Sequence, residues 1–443
     1  MSSDSPQIRY VNDLERAYDD PERIGRVAQF LTGGDDPIVL DGGDSTALGA
    51  LSLASDDPGG EPTIESGPSG RLAPDSAESE VIDHPVDPAL PLFDAVEPDV
   101  HVPGNHDLDA GDAHLEVVQS ATAGQWLAAN LSGTDAFDET AVFERAGDRV
   151  GIVGVTHPAV ARMARLVAAN TAGDSSVDPA LSATDPVPHV HDAVDSLEDR
   201  GVDHSVVVSH CGGTDETIAR QCEVDLILGG HDHRHEVFET AGTTVARTAG
   251  HGRAALAIDL GGPTVHVHDL DDVTPHTSVT EWYDRERSRL GLDATVAAVS
   301  ASHDSPAVRR RVCVALRRQT DADLAVVPAL AVRGRLAGTV TTADLIGVVP
   351  FRLPTATVTV PRRVATRLVT AADDPDDPLD RTVWDGADPE RGTVATDADP
   401  VHLALVAGAV ERGPLASLGT EVITERHGQL HELFLEDVRS SGW

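Results

Sequence analysis

The sequence predicts an α/β fold in two domains, and three observations carry that expectation. Short β-branched runs alternate with amphipathic helical stretches from residue 8 to about residue 270. The chain has 443 residues, too many for one ordinary core, and its 40% hydrophobic content is enough to build two. A polar stretch after Asp269, "DDVTPHTSVTEWYDRERS", reads as a linker leading into a helix and separates this region from a second α/β segment. The expected domains are residues 1–270 and 291–443, joined by a linker at 271–290.

The elements follow in order. "IRYV", "PIVL", "DVHV", "VGIVGV", "SVVVS" and "DLILGG" are strand-like, each rich in β-branched or aliphatic residues. Between the first two, Asp20 and Pro21 make a helix start, and Ile24, Val27, Ala28 and Leu31 share one face. Val190, Ala193, Val194 and Leu197 repeat that spacing, and Gly201 ends the helix. Residues 55–88 are rich in Pro, Gly, Ser and acid and read as a flexible surface insertion. "DDPDDPLD" (Asp373 to Asp380) reads as an acidic loop in the second domain, and no short internal repeat is visible.

Charge is the unusual quantity. There are 74 acidic against 33 basic residues, a net charge of -41, and every basic residue is arginine. At molar ionic strength the Debye length falls to about 3 Å, so such a surface stops repelling itself and mainly holds water. A halophilic host is therefore expected. The same charge argues against nucleic acid as a partner, since no basic patch is available for phosphates. Cys211, Cys222 and Cys313 have no C-x-x-C spacing and imply a reducing compartment. The first fifteen residues lack a basic region and an apolar core, and no run is long enough to span a membrane. A cytoplasmic location without membrane attachment is expected; nothing indicates the oligomeric state.

Five polar clusters share one layout, an apolar strand followed by ligand-type residues. They are "YVNDLE" (Asp13, Glu15), "VLDGGD" (Asp44), "PGNHDLD" (Asn105, His106, Asp109), "VVSH" (His210) and "LGGHDH" (His231, His233). Each alone has an ordinary explanation as a turn or cap. Together, at the carboxyl ends of strands in an α/β sheet, they point to one ligand site. Mixed oxygen and imidazole donors suit two divalent cations bridged by a carboxylate.

The order D-x-(H), GD, GNH(D/E), H, GHxH resembles the signature of the calcineurin-like metallophosphoesterases. "GNHDLDAG", "AANL" (Ala128 to Leu131) and "VGIVGVTHP" (Val150 to Pro158) resemble the 5'-nucleotidase branch in particular. The resemblance implies a four-layer β-sandwich flanked by helices, plus a smaller α/β C-terminal substrate domain. It implies that Asp13, Asp44 and His233 bind one metal, that Asp44, Asn105, His210 and His231 bind the other, and that Asp44 bridges. Glu15 stands where the family has histidine; it is a ligand, shifting the site toward Mn²⁺ or Mg²⁺, or a residue behind the ligands, or the mark of a weakened metal position. Mn²⁺ leads the expected pair of metals, with Mg²⁺, Zn²⁺ or Fe as alternatives. His106 would face the phosphate and leaving oxygen, with Asp109 orienting its ring. Asp107 receives no direct role.

In the C-terminal half, "VVPALAVRGRLAGTVTTADLIGVVPF" (Val326 to Phe351) resembles the family's substrate segment. By that resemblance Arg333 and Arg309 contact substrate, and Phe351 is half of an aromatic clamp on a base. Arg309 to Arg311 read equally as a solvated helix face. "PALA" replaces the glycines before the arginine, Leu353 replaces an asparagine, and "LALVAGAVERGP" (Leu403 to Pro414) lacks the second aromatic. The expected activity is hydrolysis of a small phosphomonoester, a nucleotide first. The alternatives are a 2',3'-cyclic nucleotide or other phosphodiesterase, or a catalytically weakened nucleotide- or metal-binding protein.

The charge balance makes one prediction. Dialysis from molar KCl into low salt should unfold the chain, read by loss of near- and far-ultraviolet circular dichroism; full stability in low salt overturns the halophilic reading.

Overall fold

The computed structural model describes residues 5–46, 49–54, 87–170, 177–178, 180–371, 382–388, 393–394, 399–411 and 415–443. Almost all of the expected insertion at 55–88 and the whole acidic loop at 373–380 lie outside the described residues. The chain divides into two compact units. One lies within Met1–Leu48, Ser55–Arg165 and Ser175–Glu286, the other within Gly49–Ala54, Leu166–Asp174 and Arg287–Trp443.

Two six-stranded sheets build the first unit. In spatial order, one contains Thr264–Asp269, Ala254–Asp259, Gln7–Val11, Ile38–Asp41, Val100–His101 and Gln125–Trp126. The other contains Glu236–Thr240, Thr243–Arg247, Leu226–Gly229, His204–His210, Asp148–Thr156 and Thr140–Arg145. Side chains alternate across each strand, and the alternation assigns them to layers. Ile8, Tyr10, Ile38, Leu40 and Val100 of the first sheet join Ile152, Val206, Val208, Leu226 and Leu228 of the second in one buried cluster. The intervening Val153, Val155, Val207 and Ile227 point the other way, where Val190, Ala193, Val194 and Leu197 of a helix cover them. That double burial explains why "SVVVS" is a continuous apolar run.

The helix start read at Asp20–Pro21 and the helix end read at Gly201 both have a physical basis. Asp20 accepts a hydrogen bond from the Arg23 amide ahead of helix Pro21–Leu31, whose Ile24, Val27, Ala28 and Leu31 are buried. Asp185 caps Pro186–Asp199 in the same way, and Gly201 beyond its end has φ +70°. Much of the stretch expected as a linker, 271–290, is helix Thr277–Arg289. Its Tyr283 is buried in the first unit, stacked on Tyr18 and donating to the Pro88 carbonyl at 2.6 Å.

Parallel pairing aligns the strand ends. Gln7–Val11, Ile38–Asp41 and Val100–His101 run parallel in one sheet. Asp148–Thr156, His204–His210, Leu226–Gly229 and Thr243–Arg247 do so in the other. The loops leaving these seven strands therefore open at common ends of their sheets.

The second unit has a five-stranded sheet in the order Thr382–Asp385, Leu324–Pro328, Val401–Val406, Pro354–Val360 and Ile423–Gln429. Leu324, Val326, Val358, Leu403 and Leu405 form its core, joined by Ala365 and Val369 of helix Arg362–Ala371. The three cysteines are free and buried.

The second sheet contains one buried ion pair that holds a loop. Arg247, with 1% of its side chain exposed, donates from Nε to Asp215 Oδ2 at 2.9 Å and from Nη2 to the Gly212 carbonyl at 2.9 Å. Asp215 also accepts from Ser209 Oγ at 2.6 Å. Arg247→Ala would strand a buried carboxylate, and breaking such a pair costs about 3–5 kcal/mol. A loss of that size in denaturant-induced unfolding is the expected outcome.

Candidate functional site

The aligned strand ends bring the ligand-type residues of the first unit together. Asp13, Glu15, Asp44, Asn105, His106, Asp109 and His210 are all buried, while His231 and His233 are partly exposed. His210 Nε2 lies 3.1 Å from Asp44 Oδ2 and 4.0 Å from Asp13 Oδ1. Its Nδ1 is 2.8 Å from the Gly42 carbonyl; a carbonyl only accepts, so Nδ1 carries the proton and Nε2 is left to the cluster. His233 Nε2 lies 3.2 Å from Asp13 Oδ1 and 3.1 Å from Glu15 Oε1. The His231 amide donates to Asp13, and its ring packs on His210 at 5.3 Å between centroids.

A second set of contacts sits beside the first. His106 Nδ1 is 2.6 Å from Asp109 Oδ2, as the three-residue spacing allows. The His106 amide donates to Asp44 Oδ1 at 2.6 Å. Among the described residues, three groups of donors could each hold a cation: Asp44, His210 and His231; Glu15, His233 and His251; and Glu15, Asp44 and His106. Asn105 Oδ1 is buried without a hydrogen-bond partner among the described residues, and this oxygen with the surrounding donor set fits divalent cations.

Backbone strain concentrates here. Asp13, Glu15, Asp44, His231, His233 and His251 all have positive φ, between 40° and 77°. Non-glycine residues adopt this region rarely, and such outliers gather where a site over-determines them. Gly43, at φ +91°, completes the packing, because a Cβ there would come within 2.8 Å of the Gly104 amide and of His210 Nδ1.

Electrostatics follow from burial. Burial opposes the charged ring of His210, but the adjacent Asp44 carboxylate carries its pKa up to about 10. Burial likewise opposes charge on His233, yet hydrogen bonds to Asp13 and Glu15 raise it to about 10. Burial and the neighbouring His210 charge take His231 down to about 4, and burial takes His251 to about 4. Burial would raise Asp44, but His210 and His106 hold it well below the usual carboxylate range.

Four participants were not legible as such in the sequence. Asp107 accepts from the amides of Gly104 (2.6 Å), Asp44 (2.9 Å), Ser45 (3.0 Å) and Thr46 (2.9 Å), and from Thr46 Oγ1 (2.8 Å). It thus ties the "GGD" loop to the "GNHD" loop. Asp41 bonds Ser45 Oγ and His101, whose ring stacks on Trp126 at 4.7 Å. His157 packs on the His231 ring at 4.8 Å. His251 lies beside Glu15 and His233; the only available signal was a histidine shortly after a strand, in "TAGHG".

In the second unit, Arg309 donates from Nε to the Val332 carbonyl at 3.3 Å, and Arg333 lies over the Phe351 ring at 5.1 Å. Phe351 is 9% exposed. Arg311 pairs with Asp437 at 2.6 Å, so the arginine run is in part a tie within this unit rather than a wholly solvated face.

Two sheets packed face to face, helices outside, and a carboxylate–imidazole cluster at parallel strand ends define a class of α/β chain with a second, smaller unit. Solved structures place it further. The chain aligns with a 5'-nucleotidase precursor of Thermus thermophilus at a TM-score of 0.70 and 15% identity, over 98% of this chain and 96% of that one. A 5'-nucleotidase of Candida albicans gives a TM-score of 0.68 and 14% identity, over 99% and 98%. The Thermus thermophilus sulfate thiohydrolase SoxB gives a TM-score of 0.70 and 16% identity, over 99% and 94%. No protein-family model and no curated protein matches the sequence. The chain has the fold of the two-domain 5'-nucleotidases. No helix among the described residues is long and apolar enough to cross a membrane.

The five hydrogen bonds to Asp107 predict its substitution cost. Asp107→Ala leaves several buried amides unsatisfied, at about 1–3 kcal/mol each. Denaturant unfolding of the metal-free protein should show a loss on the order of 3 kcal/mol or more.

Proposed function

We propose that the chain is a metal-dependent phosphoric ester hydrolase that cleaves a small phosphomonoester, with nucleoside monophosphates the first class to test. One observation carries the reading: buried carboxylates and imidazoles from both sheets converge at aligned strand ends, several of them in left-handed backbone. That cost is sensible only if the side chains must meet at a ligand. The fold shared with two 5'-nucleotidases supports the same direction.

In this reading Asp13, Glu15, Asp44, Asn105, His210, His231 and His233 would hold two divalent cations, with Asp44 shared by both. Cations so held would lower the pKa of a water and neutralise phosphate oxygens as charge moves to the leaving group. The contact between Asp44 and His210 holds those two donors together before substrate arrives. His106, with Nδ1 held by Asp109, would donate from Nε2 to the leaving oxygen. The Asp109 carboxylate would keep that ring oriented. Arg333 and Arg309 of the second unit are assigned to substrate recognition through their planar donor forks. Phe351, already covered by Arg333, is assigned to holding that guanidinium.

The test is a screen of nucleoside monophosphates, sugar phosphates and cyclic or diester nucleotides with Mn²⁺ in high KCl, together with metal analysis. Turnover of monoesters above diesters supports the reading; preference for diesters points to a phosphodiesterase, and no turnover with no bound metal overturns it. In the active protein, His106→Ala should lower kcat by about 10²–10⁴-fold. Asp44→Asn should remove both metal and activity.

A further inference from the structure

We propose that His251 is a direct ligand of the cation on the Glu15 and His233 side of the cluster. That cation would then be held by two imidazoles together with the carboxylates of Glu15 and Asp13. The inference rests on the proposed metal site and adds to it a residue from a sixth strand end.

Strand Thr243–Arg247 runs parallel to Leu226–Gly229, so the loop after it opens at the same end as the loop bearing His231 and His233. In that loop Gly250, His251 and Gly252 have φ of +67°, +55° and +62°. Three successive left-handed residues are a built feature, because only the two glycines adopt that region without penalty. A Cβ on Gly250 would lie 2.8 Å from the Asp13 Cβ, so glycine is what lets this loop press against residue 13. The His251 amide then donates to the Asp13 carbonyl at 2.6 Å, which anchors the residue beside the cluster.

The ring is placed as a ligand would be. Its centroid is 4.7 Å from that of His233, nearly perpendicular at 82°. Nδ1 lies 3.8 Å from Glu15 Oε2, too far for a hydrogen bond between those two atoms. One donor atom each from Glu15, His233 and His251 lie within 4.8 Å of one another. That is the scale expected of groups converging on one ion, with bonds of about 2.0–2.2 Å to each. Two imidazoles among carboxylates favour Mn²⁺, Fe²⁺ or Zn²⁺ over Mg²⁺, which prefers oxygen and water.

The full-length metal-free chain in high-KCl buffer, titrated with Mn²⁺ by calorimetry and checked by metal content after gel filtration, tests the assignment. The wild type should bind two ions. His251→Gly, which suits the left-handed turn, should keep one ion and bind the other more than about 100-fold more weakly, beyond the 10–100-fold typical of losing a residue behind the ligands. His251→Asn, also tolerant of positive φ, should lose Mg²⁺ discrimination at the same position, and melting of the metal-free variants checks their folding. Unchanged affinity for both ions, or a weakening of less than about 100-fold, overturns direct ligation by His251 and leaves the wider site intact. A wild type that binds no divalent cation overturns the site itself.

Discussion

Burying several carboxylates at one end of two sheets is the constraint on which this structure depends. Asp13, Glu15, Asp41, Asp44 and Asp107 all have exposures of 3% or less. Left alone, like charges in such surroundings would neutralise by taking up protons or push the loops apart. Each has a counterpart that opposes this, although burial beside Asp44 and Asp41 still pushes Asp107 up to about 7. Asp44 has His210 and the His106 amide, Asp13 and Glu15 share His233, Asp41 has Ser45 and His101, and Asp107 has four amides and a hydroxyl. The carboxylates are held by imidazole, hydroxyl and backbone amide groups together.

The clasp between the two loops of the first sheet gives this arrangement its rigidity. Asp44 reaches across to the His106 amide while Asp107 reaches back to the amides of residues 44 to 46. Each loop therefore positions the other, and the side chains proposed to carry the chemistry ride on backbone that is bonded twice. Arg247 does similar work in the second sheet, tying Asp215 and the Gly212 carbonyl behind His210. Precision at the site thus comes from buried polar contacts one layer behind it.

The two units present different chemistry. The first places its cluster on seven parallel strand ends, and its donor set is complete enough to support a hydrolytic reading. The second pairs Arg333 with the Phe351 face and uses Arg311 on Asp437, so aromatic and cationic groups are engaged with one another inside the unit. A 5'-nucleotidase precursor and a sulfate thiohydrolase align with the chain equally well.

Sequence by itself determined the local facts. Alternating apolar runs marked the strands from "IRYV" to "DLILGG", because a strand buried on one or both faces leaves a period of one or two in the chain. Asp20–Pro21 marked a helix start, and five strand-end clusters named most of the residues that gather at the site. Tertiary structure decided what depends on residues far apart. Asp107 looked like one more acid in a motif until its amide partners more than fifty residues away were in view. His251 carried no periodic or motif signal, and only the pressing of the Gly250 turn against Asp13 put it beside Glu15. That the Phe351 ring meets the Arg333 guanidinium was likewise visible only in the fold. Periodicity and capping are written in neighbouring residues, whereas a buried charge is balanced by whatever the fold brings next to it.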